Sequence, residues 1–227
     1  MPAKAKQHRT VYIKSLTRST TPFSIVHSYV WGPAPIVSRS GFLDFISFID
    51  YFSRFTLLYL LKSISGVPKV FQICHKMVKT QFNVSVKCLR TDNASEYVSS
   101  EMVSYLQGCG IELQNSCAYS PQQNGLSERK NRHLLEVTRS LLCGMSVPKT
   151  FWSFAVLTAC YLINRMPTRV LNGKSPFSIW FPDSIVFSLV PCVFGCVSFV
   201  HNNDPRLDNK SIQCVILKFD GEKAYLQ

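Results

Sequence analysis

Between Arg90 and His133 the chain changes its apolar period, and a carboxylate stands on each side of the change. Ahead of the first acid, Val84-Ser85-Val86-Lys87-Cys88-Leu89 alternates apolar and polar residues, which predicts a strand ending just before Asp92. Beyond Pro121 and Gly125, residues Leu126, Leu134, Leu135, Val137, Leu141 and Leu142 fall at helical spacing. Glu128, Arg129, Arg132 and His133 fill the polar positions. Asp92 therefore follows a strand, and Glu128 opens a helix behind a Pro- and Gly-containing loop. Such an arrangement lets two acids far apart in the chain converge on one metal site.

The flanking sequence supplies a sheet and helices to carry them. Phe23 to Trp31, Phe42 to Ile49 and Phe55 to Leu61 read as three strands of an antiparallel meander, the first broken by Gly32-Pro33-Ala34-Pro35. Val67, Val70, Phe71, Cys74, Met77, Val78 and Phe82 then follow amphipathic-helix spacing. After the Asp92 strand come a helix around Ser99 to Gly108, a short strand Ile111–Leu113, the Glu128 helix, and a helix from Pro148 to Asn164. The last is apolar nearly all round, which predicts a buried core helix. This order is that of an α/β fold. Phe177 to Pro191 reads as a linker, and Val193 to His201 and Gln213 to Phe219 as strands of a small β-rich module. The divisions are therefore a basic tail over 1–20, a core over 21–176, a linker over 177–191 and the module over 192–227.

Composition limits the function classes. Forty-six per cent hydrophobic residues is a globular content. A formal charge of +12 and a pI near 9.4 favour a polyanionic partner. The nine cysteines contain no C-x-x-C pair, are odd in number and lie mostly in apolar runs, so they read as reduced core residues of an intracellular protein. The most apolar stretch, Phe42 to Leu61, is interrupted by Asp44, Asp50, Ser53 and Arg54, which argues against a membrane partner. The start is basic, without a signal peptide.

Several segments, in order, resemble the integrase of copia-type (Ty1/copia) retrotransposons. They are His27-Ser28-Tyr29-Val30-Trp31-Gly32-Pro33, Phe48-Ile49-Asp50-Tyr51-Phe52-Ser53-Arg54, the Asp92 strand, the Gln122 to His133 loop and helix, Tyr161 to Pro167, and Val193-Phe194-Gly195-Cys196. The resemblance implies a ribonuclease-H-like catalytic core of the retroviral integrase superfamily, with a mixed five-stranded sheet flanked by helices. It also implies a Pol polyprotein origin, Mg²⁺ or Mn²⁺ as cofactor, and element ends and target DNA as partners. Homo-oligomers and a nuclear location for any DNA-joining role follow from it too. It makes residues 1–20 a remnant behind a lost zinc-binding module, and the C-terminal module truncated.

The family holds its two metal ions with three acids, and Asp92 and Glu128 match the second and third. Taken singly, an Asp after a strand is an ordinary turn residue and a Glu at a helix start a dipole partner. The first acid's position is occupied by Tyr29. A phenol with a pKa near 10 offers no anionic oxygen at neutral pH, so metal binding is expected to be weakened and DNA strand transfer abolished or severely impaired. Asp44 could substitute only if strand register set it beside residue 29 on one face. The turn after Asp92 carries Ala94 and Ser95 where the family has glycines, which predicts about 1 kcal/mol of strain if the first needs positive φ. Asp50 reads as a structural acid, paired with Arg54. Gln122, Gln123 and Asn124 resemble the family's DNA-reaching loop. Arg129, Lys130, Arg132 and His133 are expected phosphate contacts without sequence readout. The alternative function is a non-enzymatic nucleic-acid-binding protein that keeps the fold.

Overall fold

A computed structural model describes residues 21–92, 94–116, 124–187, 192–201, 211–217 and 225–226. Three strands, β1 (Ile25–Trp31), β2 (Asp44–Asp50) and β3 (Thr56–Leu61), form the antiparallel meander. Strand β4 (Cys88–Thr91) joins the other edge of β1 in parallel, and β5 (Glu112–Asn115) continues parallel to β4. The sheet order β3-β2-β1-β4-β5 puts β1 in the middle. Parallel neighbours need a crossover. Helix α1 (Val67–Phe82) supplies the one into β4, and α2 (Ser100–Gly108) the one into β5.

Strand residues alternate between sheet faces, and the two faces have separate cores. On one, Val26, Ile46, Phe48 and Leu89 pack with Phe71, Cys74 and Val78 of α1 and with Met102 and Leu106 of α2. On the other, Trp31, Phe45, Leu58 and Leu60 meet Leu135 and Leu142 of α3 (Gly125–Gly144) and Trp152 and Val156 of α4 (Trp152–Arg165). Every residue of β2 is buried, so Asp44–Asp50 shows no polar side. Burying both faces at about 25 cal/mol per Å² of apolar surface makes this sheet the main source of stability.

Element boundaries differ from the sequence reading where hydrogen bonding decides them. The fourth strand begins at Cys88 rather than Val84, because the amides of Lys87 and Cys88 both reach the carbonyl of Ser24 before the ladder starts. The presumed linker at Phe177 is helical instead. Ser175 and Ser178 form a reciprocal capping box, and Pro176 opens α5 (Pro176–Trp180). The Trp180 ring packs 4.9 Å from Phe23 and 4.5 Å from Phe82, and its Nε1–H donates to Ser53 Oγ at 2.8 Å. This segment is part of the core. The tail 1–20 and residues 188–191 of the linker lie outside the described residues.

A second sheet joins β6 (Val197–His201), β7 (Ser211–Ile216) and β8 (Tyr225–Leu226), all antiparallel. Phe194 and Leu217 seat it on Ala155 of α4 and Leu141 and Leu142 of α3. Eight of the nine cysteines lie among the described residues. Cys74, Cys88, Cys160 and Cys214 are buried as expected, but Cys109, Cys143 and Cys192 are exposed and Cys196 is half-buried. No described helix is long and apolar enough to cross a membrane.

Candidate active site

Strand register brings residue 29 to the first acid. Tyr29 pairs with Ser47 across β1 and β2, on the face that α3 and α4 cover. In the parallel pair β1–β4, His27 stands beside Arg90. Two residues further along both strands are Tyr29 and Asp92. Helix α3 crosses this face with Glu128 in its first turn. The three lie within electrostatic reach of one another. Burial raises the pKa of the Tyr29 phenol, and the carboxylates of Asp92 and Glu128 raise it further. Burial also raises Asp92 above the usual carboxylate range, Glu96 and Glu128 add to this, and the amide of Ala94 opposes it by hydrogen bonding.

Asp92 and Glu128 are the two acids available here as ligands. The Oδ1 of Asp92 is buried without a hydrogen-bond partner, as befits an oxygen kept for a ligand. Among the described residues, however, no group of three or more His, Cys, Asp or Glu side chains could hold a metal ion. A second ion needs a bridging acid, and a phenol whose pKa is pushed upward stays neutral.

Asp44 does not replace that acid. Because 29 pairs with 47, residue 44 lies on the opposite face of the sheet. It is buried against Gly32, with its pKa raised by burial and then by Glu96. The strain expected at Ala94 is also absent: its φ of −70° and ψ of 141° are ordinary extended backbone. Asp50 is structural, but through amides. Oδ1 accepts from the backbone of Phe23 and Phe52, and Oδ2 from the amide and hydroxyl of Ser53.

The basic residues of α3 divide. Arg129, Arg132 and His133 are exposed, as phosphate contact requires. Lys130 is half-buried and turned toward α4, where burial pushes its pKa down to about 8, with the Cys160 thiol and the Arg54 guanidinium nearby. It belongs to the packing of α3 on α4 and not to the outer surface. Asn124 is buried at the start of α3, while Gln122 and Gln123 lie outside the described residues.

Two contributors went unread in the sequence. Tyr97 is fully buried in a 3-10 turn (Ser95–Val98), and its hydroxyl lies 2.6 Å from Ser28 Oγ, which ties the segment after Asp92 to β1. His27 is buried in β1, with Nδ1 3.4 Å from Asn124 Oδ1. Tyr97 carried no signal beyond its nearness to Asp92, whereas His27 heads the His27–Pro33 segment.

A mixed five-stranded sheet with helices on both faces is the fold of integrase catalytic cores, and here acids stand at the end of β4 and the start of α3. Residues 20–121 match the Integrase core domain family, and the chain carries an integrase core domain of the retrotransposon Pol polyprotein type. It is 38% identical over 221 residues to the retrovirus-related Pol polyprotein from transposon TNT 1-94 of Nicotiana tabacum, covering 96% of this chain and 17% of that protein. Against the Pol polyprotein from transposon RE1 of Arabidopsis thaliana it is 36% identical over 225 residues, covering 97% and 15%. The chain thus spans less than a fifth of these relatives. Among solved structures, the HTLV-2 integrase catalytic core domain in complex with magnesium matches with a TM-score of 0.53 at 16% identity, over 72% of this chain and 99% of that one. A chain of the simian T-cell lymphotropic virus intasome matches with a TM-score of 0.59 at 15% identity, over 92% and 78%. Both support the fold.

Proposed function

We propose that this chain descends from a metal-dependent polynucleotidyl transferase that joins element ends to target DNA, and that it now binds nucleic acid with transfer abolished or severely impaired. The observation that carries the reading is the convergence of Asp92 and Glu128 on a phenol. Transfer of a phosphodiester requires neutralisation of charge on both the attacking and the leaving oxygen, which a pair of Mg²⁺ or Mn²⁺ ions supplies when bound. Asp92 and Glu128 would hold one ion. Tyr29 puts a neutral ring where the second needs an anion, so no transfer step follows from these residues. The exposed Arg129, Arg132 and His133 and the +12 charge support backbone contact with DNA in the absence of chemistry. That favours the second reading, a nucleic-acid-binding protein on an integrase fold. Solved neighbours include dimeric and trimeric integrase cores and an intasome, which supports homo-oligomers here. A nuclear location would follow from any DNA-joining role.

The test is Mg²⁺- or Mn²⁺-dependent strand transfer with short duplex ends, on the unaltered chain and on Tyr29→Asp. The unaltered chain should retain DNA at low salt and transfer nothing. Tyr29→Asp should gain transfer by at least tenfold over background. Transfer by the unaltered chain at the level of the variant would refute the loss of activity.

A further inference from the structure

His27 lies in the His27 to Pro33 segment, yet the transfer chemistry makes no use of it. Its ring is 1% exposed in the middle strand of the sheet. The Tyr51 ring lies against it, with centroids 5.3 Å apart, and Asn124 Oδ1 lies 3.4 Å from Nδ1. Asn124 occupies the N-cap of α3, where an asparagine side chain ordinarily accepts from a backbone N–H of the first turn. Here it makes no such bond. Its Oδ1 instead accepts from the hydroxyl of Ser127 and faces His27. Ser127 is fully buried, and its Oγ also lies 2.8 Å from the carbonyl oxygen of Asn124. The residue that follows Ser127 is Glu128. The helix has given up a conventional cap, and the same side chain fastens it to the centre of the sheet.

We propose that His27 is a positioning residue: as the Nδ1–H tautomer it donates to Asn124 Oδ1 and, through Asn124 and Ser127, fixes the first turn of α3 and the direction of Glu128. With the proton on Nε2, lone pairs of Nδ1 and Oδ1 would face each other. Burial, with Arg90 and Arg54 nearby, keeps the ring neutral down to about pH 4, so the link persists through the physiological range. The role assigned to Glu128 rests on the transferase reading, whereas the link itself does not.

The experiment uses the full chain. Nitrogen NMR of the imidazoles should show His27 as the Nδ1–H tautomer. His27→Leu and Asn124→Ala should each speed amide exchange at Arg129–His133 about tenfold, with α4 amides unchanged. The double variant should do no more than either single one, and His27→Gln, which keeps a donor, should recover most of the protection. An Nε2–H ring, additive effects, or uniform loss of protection across the sheet would overturn the link. Should His27→Leu fail to fold, the tautomer and the Asn124→Ala exchange decide the matter. None of these readouts involves DNA, so an inactive Tyr29→Asp chain counts against the transferase reading and leaves the link standing. If Tyr29→Asp does transfer, adding Asn124→Ala should lower kcat at constant KM; an unchanged kcat would refute the positioning of Glu128.

Discussion

At position 29 the strand packing accepts an aromatic ring beside two carboxylates. A tyrosine suits a half-buried strand, and Tyr29 fills its place on β1 without disturbing the register with β2 or β4. The carboxylates beside it act on the ring, and together with burial they keep its phenol protonated. Gly32, three residues on, shows the opposite case of a position that admits no side chain. Its φ is +147°, and a Cβ there would land on the buried Asp44 carboxylate. Gly32→Ala is expected to cost about 1–3 kcal/mol, measured as a lower denaturant midpoint. That collision also explains Asp44: it is held against the backbone of the Gly32 turn, on the face away from Glu128.

At the scale of elements, α4 does more than bury apolar surface. Asn164 Oδ1 accepts from the amide of Thr56 at 2.9 Å, and its Nδ2 donates to the Thr56 carbonyl at 2.7 Å. The side-chain amide thus extends the hydrogen bonding of the edge strand β3 at its first residue. Asn164→Leu leaves the Thr56 amide unpaired in a buried setting and its carbonyl with only the weak Cys160 thiol donor, and is expected to destabilise by about 1–3 kcal/mol in thermal or urea unfolding. Helix α3 separates two kinds of basic residue that the sequence shows as one cluster. Arg132→Ala should weaken DNA binding and lower the log–log salt slope by about one, in a titration over several salt concentrations. Lys130→Ala should leave that slope unchanged and lower the melting temperature instead, because its stem and ammonium pack toward α4.

At the scale of the whole molecule, the sheet is fastened to its helices by buried polar groups, and acid should loosen it. The pKa of His27 is depressed from the ordinary 6.5 to about 4, first by burial and then by Arg90 and Arg54, against the opposing bond to Asn124. The unfolded chain therefore takes up this proton before the folded one does. Stability contributed by the neutral ring is complete above about pH 6.5 and declines as pH falls toward 4, by on the order of 3 kcal/mol in all. Urea unfolding between pH 7 and 4 should show that decline, and His27→Gln should flatten it.

The order of strands and helices, the bounds of α1 and the placement of Asp92 and Glu128 at a strand end and a helix start were legible in the sequence. They depend on periodicity and on local signals from Pro, Gly and polar residues. The Ser175-Pro176 pair carried such a signal for α5 as well. Other features depended on partners distant in sequence. The face taken by Asp44 follows from pairing 29 with 47, and one step of register would have reversed it. Lys130 turns inward because α4 stands next to α3, and Asn124 leaves its own helix uncapped because His27 lies within reach. The sequence by itself determined which residues could form strands and helices and which acids could meet. Tertiary structure decided which side chains share a face, because that depends on register and packing between segments that are not neighbours in the chain.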